Sequence, residues 1–168
     1  MTSKNYSPFH SLVQKVLSTR FGAWYGSLTA HHFDRMVLKL TGGRMTMGNI
    51  VSGLPVAVVT TIGAKSGLSR TLPLLFIRDE HDPNVFALIA SNWGSKHHPA
   101  WYFNLKANPH ATCSIRGQVR EYVAHEASGE EYDRFWQYAM GTYLGFPLYK
   151  QRAGNRHIPV MVMTPVEQ

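Results

Sequence analysis

The stretch PVAVVTTIGAKSGLSRTLPLLFIRD, residues 55–79, decides how this chain is read. Its opening run, PVAVVTTI, is apolar and β-branched, as a strand requires, and Gly63 ends it. A second run, TLPLLFIRD, begins at Thr71. Two strands joined by a short loop pair antiparallel. The loop between them sets Gly63 and Gly67 beside Ala64, Lys65, Ser66, Ser69 and Arg70. Backbone amides, hydroxyls and two cations in one loop suit a phosphate or carboxylate group. The competing reading is a solvated hairpin with a basic tip, and spacing alone does not separate the two. The loop is neither a Walker loop, since Lys65 precedes Ser66 and Gly67, nor a G-x-G-x-x-G turn.

Outward from that stretch, Asp82-Pro83-Asn84 forms a turn, and VFALIAS (residues 85–91) reads as a buried strand from its unbroken hydrophobicity. ATCSIR and VREYVAHE flank Gly117-Gln118 as a hairpin, and IPVMVMT (158–164) is a last strand. Two helices interrupt the strands. HPAWYFNLKANP (98–109) places Pro99 at the first helical position, and a second helix opens at Ser128 with Glu131 completing a capping box. Six strands without regular strand–helix alternation predict a mixed β/α barrel, antiparallel or mixed, rather than a Rossmann sheet.

Before the barrel, Phe9, Leu12, Val13, Val16, Leu17, Phe21 and Trp24 recur at helical spacing. Phe33, Met36, Val37 and Leu40 repeat the pattern until Gly42-Gly43. Two helices resting on the body are expected. The alternative is an amphipathic surface helix that dips into lipid at the membrane periphery. The organisation predicted is a helical segment over 1–45 and a barrel over 46–168, within one domain.

Seventeen Lys and Arg oppose ten Asp and Glu in the 168 residues, so an anionic partner is favoured. The basic residues are scattered rather than clustered with exposed aromatics, which argues against nucleic acid. The single cysteine, Cys113, fits a reducing compartment and reads as a small buried apolar residue. Neither a signal peptide nor a run long enough to span a bilayer is evident, so a cytoplasmic location is expected. Nine histidines show no metal-ligand spacing, and no G-x-S-x-G elbow occurs, so no metal site is expected. The oligomeric state is left open, a monomer included.

Two further stretches carry polar and aromatic groups together. In ASNWGSKHHPAWYFNLKANP (90–109), Ala90, Ser91, Asn92 and Gly94 follow a buried strand, and Trp101, Tyr102 and Asn104 sit on the helix. Such a set suits a flat heteroaromatic ligand, though at least one of the two aromatics is expected in the core. In TYLGFPLYKQRAGNRHIPV (142–160), Tyr143, Phe146 and Tyr149 share one side of a helix or turn. They form either a wall over a pocket or ordinary packing.

Taken in order, LKLTGGR (from Leu38), TTIGAKSGLSRTLPL, ASNWG, HHPAWYFNLKANP and NRHIPVMV resemble the deazaflavin-dependent nitroreductase family. The resemblance covers most of the chain. It implies a split β-barrel related to flavin-binding pyridoxamine oxidases, and coenzyme F420 as cofactor. On that basis Ala64, Lys65, Ser66 and Arg70 would meet the phosphate and glutamate tail. Thr71, Leu72, Pro73, Leu74 and Leu75 would line the deazaflavin ring, Ala90, Ser91 and Asn92 its edge, and Trp101, Tyr102 and Asn104 would support it. The chemistry implied is hydride transfer from reduced F420 to a quinone or nitro compound, with Ser91, Tyr143 and Tyr149 as hydrogen-bond donors to the acceptor. Phe146 stands where the nitroimidazole-activating member has tyrosine, Leu75 lacks a phenol found there, and Asn92 replaces a lysine. Those departures weigh against nitroimidazole reduction. An FMN-dependent oxidase or reductase on the same barrel, and a deazaflavin-binding protein without catalysis, are the alternative readings.

Overall fold

Strands β1 (Val56–Ile62) and β2 (Ser69–Arg78) pair antiparallel with Thr60 opposite Thr71, and the two hydroxyls lie 2.8 Å apart. The computed structural model describes residues 8–19 and 53–167. β3 (Phe86–Ile89), β4 (His110–Ile115), β5 (Gln118–Glu126) and β6 (Val160–Pro165) complete a closed barrel in the order β1-β2-β3-β6-β5-β4, every neighbouring pair antiparallel.

β3 explains why its sequence is continuously apolar. Phe86 and Leu88 face the barrel interior with Val59, Cys113, Met161 and Met163, while Ala87 and Ile89 face the helices with Ile77, Val160 and Val162. A strand buried on both faces has no polar side to alternate. Cys113 is 1 % exposed, as expected of a buried apolar residue, and burial pushes its thiol up to about 12. The β4–β5 hairpin turns through Arg116 (φ 53°) and Gly117 (φ 83°), the pair of left-handed residues that matches the strands' own twist.

Helix α2 (Ala100–Ala107) sends Trp101 and Leu105 into the barrel core. α3 (Gly129–Thr142) and α4 (Gly145–Ala153) cover the outside of β2, β3 and β6 through Phe135, Trp136, Ala139, Phe146 and Tyr149. The antiparallel register gives the barrel two distinct ends. One gathers the 63–68 loop, residues 90–98 and the 126–128 and 154–159 connections. The other gathers the 79–85 turn and Arg116-Gly117.

Several local expectations are corrected. Ser128 takes the N-cap place of α3 but makes no side-chain cap, and Glu131 meets His125 at 2.9 Å, so the expected capping box is not formed. Pro99 precedes the first turn of α2 rather than opening it. The expected N-terminal helix is present as α1 (Pro8–Ser18), lying against α4, but Leu12 and Val16 are exposed while Gln14 is buried and Val13 half-buried. The ring of His10 lies over Gly53, where a Cβ would stand 3.0 Å from Nδ1. Phe21, Trp24, the 33–40 helix, the LKLTGGR stretch and the predicted boundary near residue 45 fall outside the described residues. Among the described residues, no helix is long and apolar enough to cross a membrane.

Candidate functional site

The loop between β1 and β2 is held in a tight ring by its own backbone. Gly63 N–H donates to Leu68 O (2.9 Å), Gly67 N–H to Gly63 O (2.8 Å), and Leu68 N–H to Ser66 Oγ (3.3 Å). Glycine at 63 is required by that closure, since a Cβ there would meet Ser66 Oγ at 2.7 Å. Ala64, Lys65, Ser66 and Arg70 are exposed, and no carboxylate among the described residues pairs with either cation. A fixed loop whose two cations are neither buried nor neutralised is suited to an anion.

Asn104 ties this loop to α2. It is 8 % exposed, donates through Nδ2 to Thr61 Oγ1 (3.0 Å), and accepts Ala64 N–H at Oδ1 (3.0 Å). Trp101 is in the core, whereas Tyr102 is half-buried and donates its hydroxyl to Glu126 (3.1 Å), which Lys106 also meets (2.9 Å). Burial and the Glu126 bond both hold the Tyr102 phenol above its ordinary value.

The expected ring-lining strand runs on from Arg70. Thr71 is exposed and Leu72, Pro73, Leu74 and Leu75 are each half-buried, leaving apolar surface uncovered beside the loop. Leu72 and Leu74 rest on the barrel core and Leu75 on the helix-side core.

Residues 90–98 form the third part, at the same barrel end. Ala90 and Ser91 are buried, and Asn92 (φ 46°) and Trp93 (φ 57°) occupy the left-handed region that side chains disfavour. Arg156, just before β6, holds this segment. Its guanidinium donates to the carbonyls of Ser91 (2.6 Å), Ala90 (3.2 Å) and Ser95 (2.8 Å), and to His98 Nδ1 (3.1 Å). Arginine only donates, so His98 carries its proton on Nε2. Burial and then the Arg156 charge lower the His98 pKa, keeping the ring neutral. Asn92 Nδ2 donates to His97 O (2.9 Å), closing the turn further.

Tyr143, Phe146 and Tyr149 are brought together, but inside the helix-side core, at 4, 3 and 3 % exposed. The hydroxyls of Tyr143 and Tyr149 bond each other at 2.9 Å, and Tyr149 meets the edge of Trp93 at 5.9 Å. Burial raises both phenol pKa values. A shallow concavity of about 520 Å³ lined by Glu126, Tyr132, Asp133 and His157 opens near the same barrel end, and none of the expected site residues lines it.

Arg156 and Glu126 were not singled out in the sequence. The one available signal for Arg156 was its place in the NRHIPV stretch, directly ahead of a buried strand. Among the described residues no three His, Cys, Asp or Glu side chains gather into a possible metal site.

The chain matches the family model described as F420H(2)-dependent quinone reductase over residues 31–165. It is similar to an F420H(2)-dependent quinone reductase of Mycobacterium tuberculosis (strain H37Rv), with 31 % identity over 74 % of this chain and 82 % of that protein. Among solved structures it is similar to an F420-H2 dependent reductase (FDR-A), with 35 % identity, a TM-score of 0.58, and coverage of 65 % of this chain and 93 % of that one. A second, described as a domain-swapped dimer, gives 31 % identity and a TM-score of 0.61 over 84 % of this chain and 97 % of that one. Match and architecture agree, and the chain belongs to the F420H(2)-dependent quinone reductase family, on a split β-barrel.

Proposed function

We propose that this protein is an oxidoreductase that passes a hydride from reduced coenzyme F420 to a quinone. The observation that carries the reading is the unneutralised Lys65–Arg70 loop, fixed by Asn104 to α2 at the same barrel end as the Arg156-held turn. Family membership supports the cofactor and the acceptor class.

The donor set fits the group. Lys65, Arg70 and the Ser66 hydroxyl hold the phosphate and carboxylates, and the half-buried face of Leu72 to Leu75 accepts a flat ring. Bound F420H2 supplies the hydride. The chain orients the ring against the 90–92 turn, excludes water, and donates hydrogen bonds to the acceptor oxygen as it gains negative charge. Ser91 is the candidate donor at that end. Tyr143 and Tyr149, the other two candidates, bond each other at 2.9 Å. Substituting all three with no loss of turnover at saturating cofactor would remove them from the reaction.

Nitro compounds are the finer alternative acceptor. Lipid contact of α1 through the exposed Leu12 and Val16 belongs to the same proposal and is read by co-sedimentation with anionic vesicles.

The test is a fluorescence titration with oxidised F420 and with FMN at low and moderate salt, followed by quinone turnover. Selective, salt-sensitive F420 binding with turnover is expected, because exposed cations are screened. FMN preference would assign the barrel to flavin, and tight F420 binding without turnover would make the protein a carrier.

A further inference from the structure

The barrel end remote from the GAKSG loop holds a second, smaller cavity of about 90 Å³. It lies under the 79–85 turn and the β4–β5 hairpin. Its apolar walls include Phe76, Phe86 and Ile115, and its polar lining includes Arg78, Arg120 and Tyr122 beside Asn84 and Gln118. Residues 70 and 78 are eight apart on β2, about 26 Å of extended strand, so this cavity is separate from the loop that meets the cofactor.

Tyr122 is the informative residue. It is 5 % exposed, its ring packs edge-on against Phe86 at 5.0 Å, and its hydroxyl has no hydrogen-bond partner among the described residues. The hydroxyl opens onto the cavity rather than being sealed in the core, so it keeps a donor for whatever enters there. The two arginines are already aimed. Arg78 donates one Nη to Pro83 O (2.6 Å) and rests over the Phe76 ring, and Arg120 donates one Nη to Asn84 Oδ1 (3.2 Å). Each guanidinium spends one nitrogen on its own placement and keeps further N–H groups unengaged. No Asp or Glu lines the cavity, and Asp79, at the end of β2, is engaged by Arg134 at 3.1 Å.

We propose that this cavity binds a compact oxyanion of the phosphate or sulfate class. The Arg78 and Arg120 guanidiniums supply charge and N–H donors, and the Tyr122 hydroxyl is the third donor. The cavity is small, about 90 Å³, which suits one compact anion. The inference does not depend on the cofactor reading, since neither site shares a residue with the other.

The experiment is a titration of the 15N-labelled full chain with inorganic phosphate at constant ionic strength, with chloride exchanged out, followed residue by residue in amide and arginine Nε resonances. Saturable shifts at Arg78, Gln118, Arg120 and Tyr122 are expected, separable from any at Gly63 to Arg70. Tyr122→Phe, which keeps the ring, and Arg120→Gln, at an exposed position, should each weaken the far-end dissociation constant several-fold and leave loop shifts unchanged. Sulfate should compete. Phosphate shifts confined to the 63–70 loop would overturn the proposal while leaving the cofactor loop standing. Far-end shifts unaffected by both substitutions, or matched by acetate at equal concentration, would overturn it as well. Shifts at the far end alone would support it and count against the loop.

Discussion

The guanidinium of Arg156 donates to the carbonyl oxygen of Ser91 at 2.6 Å, across 65 residues of sequence. The same fork takes Ala90 and Ser95, so one side chain holds the turn in which Asn92 and Trp93 carry left-handed backbone. A strained turn persists only where its surroundings over-determine it. Lysine offers a point charge without the planar fork. Arg156→Lys is therefore expected to lower stability by about 2–3 kcal/mol and to reduce kcat/KM for the acceptor more than it changes F420 affinity. Denaturant midpoints and steady-state kinetics on one preparation separate the two effects.

Asn104 satisfies Ala64 N–H and Thr61 Oγ1 at 3.0 Å each. Asn104→Leu keeps the volume and removes both bonds, leaving the loop amide without its partner. F420 binding should weaken roughly tenfold, about 1.4 kcal/mol, and Asn104→Asp, which restores the acceptor, should recover part of it. Unchanged affinity in the leucine variant would mean the loop is set by its own ring of bonds alone.

Gly94 sits at φ 79°, with Arg152 Cβ 2.7 Å and Tyr149 O 2.9 Å from where a Cβ would stand. Gly94→Ala forces the 90–98 segment away from α4. A loss of about 1–3 kcal/mol is expected, read as a lower Tm with red-shifted Trp93 fluorescence as the ring leaves Tyr149 for water. Gly67→Ala, at φ 65° in open space, tests backbone strain without the clash.

Glu126 feels burial, which opposes its ionisation, but hydrogen bonds from Lys106 and Tyr102 outweigh it and hold the carboxyl below its ordinary value. The folded state then binds that proton less readily than the unfolded state. The contribution is complete above the unfolded value near 4.5 and disappears as pH falls through the folded one. The stability gap between wild type and Glu126→Gln should be present at about pH 7 and close by about pH 3. A gap that persists in acid would assign the effect to packing.

Cys113 has the opposite sign. Burial lifts its thiol from 9.0 to about 12, so the folded state keeps a proton that the unfolded state loses. Its contribution to stability is present below pH 9 and declines as pH rises toward 12. Native protein should resist alkylation at mildly alkaline pH and react once unfolded, because the thiolate is the nucleophile.

The strands were legible in sequence because each carries its burial in its own residues. β3 is apolar on every position since both faces are covered, and Gly117 marked the hairpin, although the turn pairs it with Arg116 while Gln118, expected in the turn, begins β5. The GAKSG loop was legible for the same reason: its glycine and its cations are local. α4 was left between helix and turn, since Gly145 and Pro147 lower helical propensity there. Pro147 is tolerated in the first turn, where the N–H groups have no intrahelical partner.

The amino-acid sequence by itself determined the strands, the hairpins and the exposed basic loop, because period, turn chemistry and charge act over a few residues. Only the tertiary structure decided that Glu131 answers His125 rather than capping α3, and that Tyr143 and Tyr149 give their hydroxyls to each other. It alone decided that Arg156 and Asn104 gather the site, and that Arg78, Arg120 and Tyr122 meet at the other end. Those partners are backbone carbonyls and side chains tens of residues away, and a hydrogen bond to a distant carbonyl leaves no pattern in the sequence that makes it.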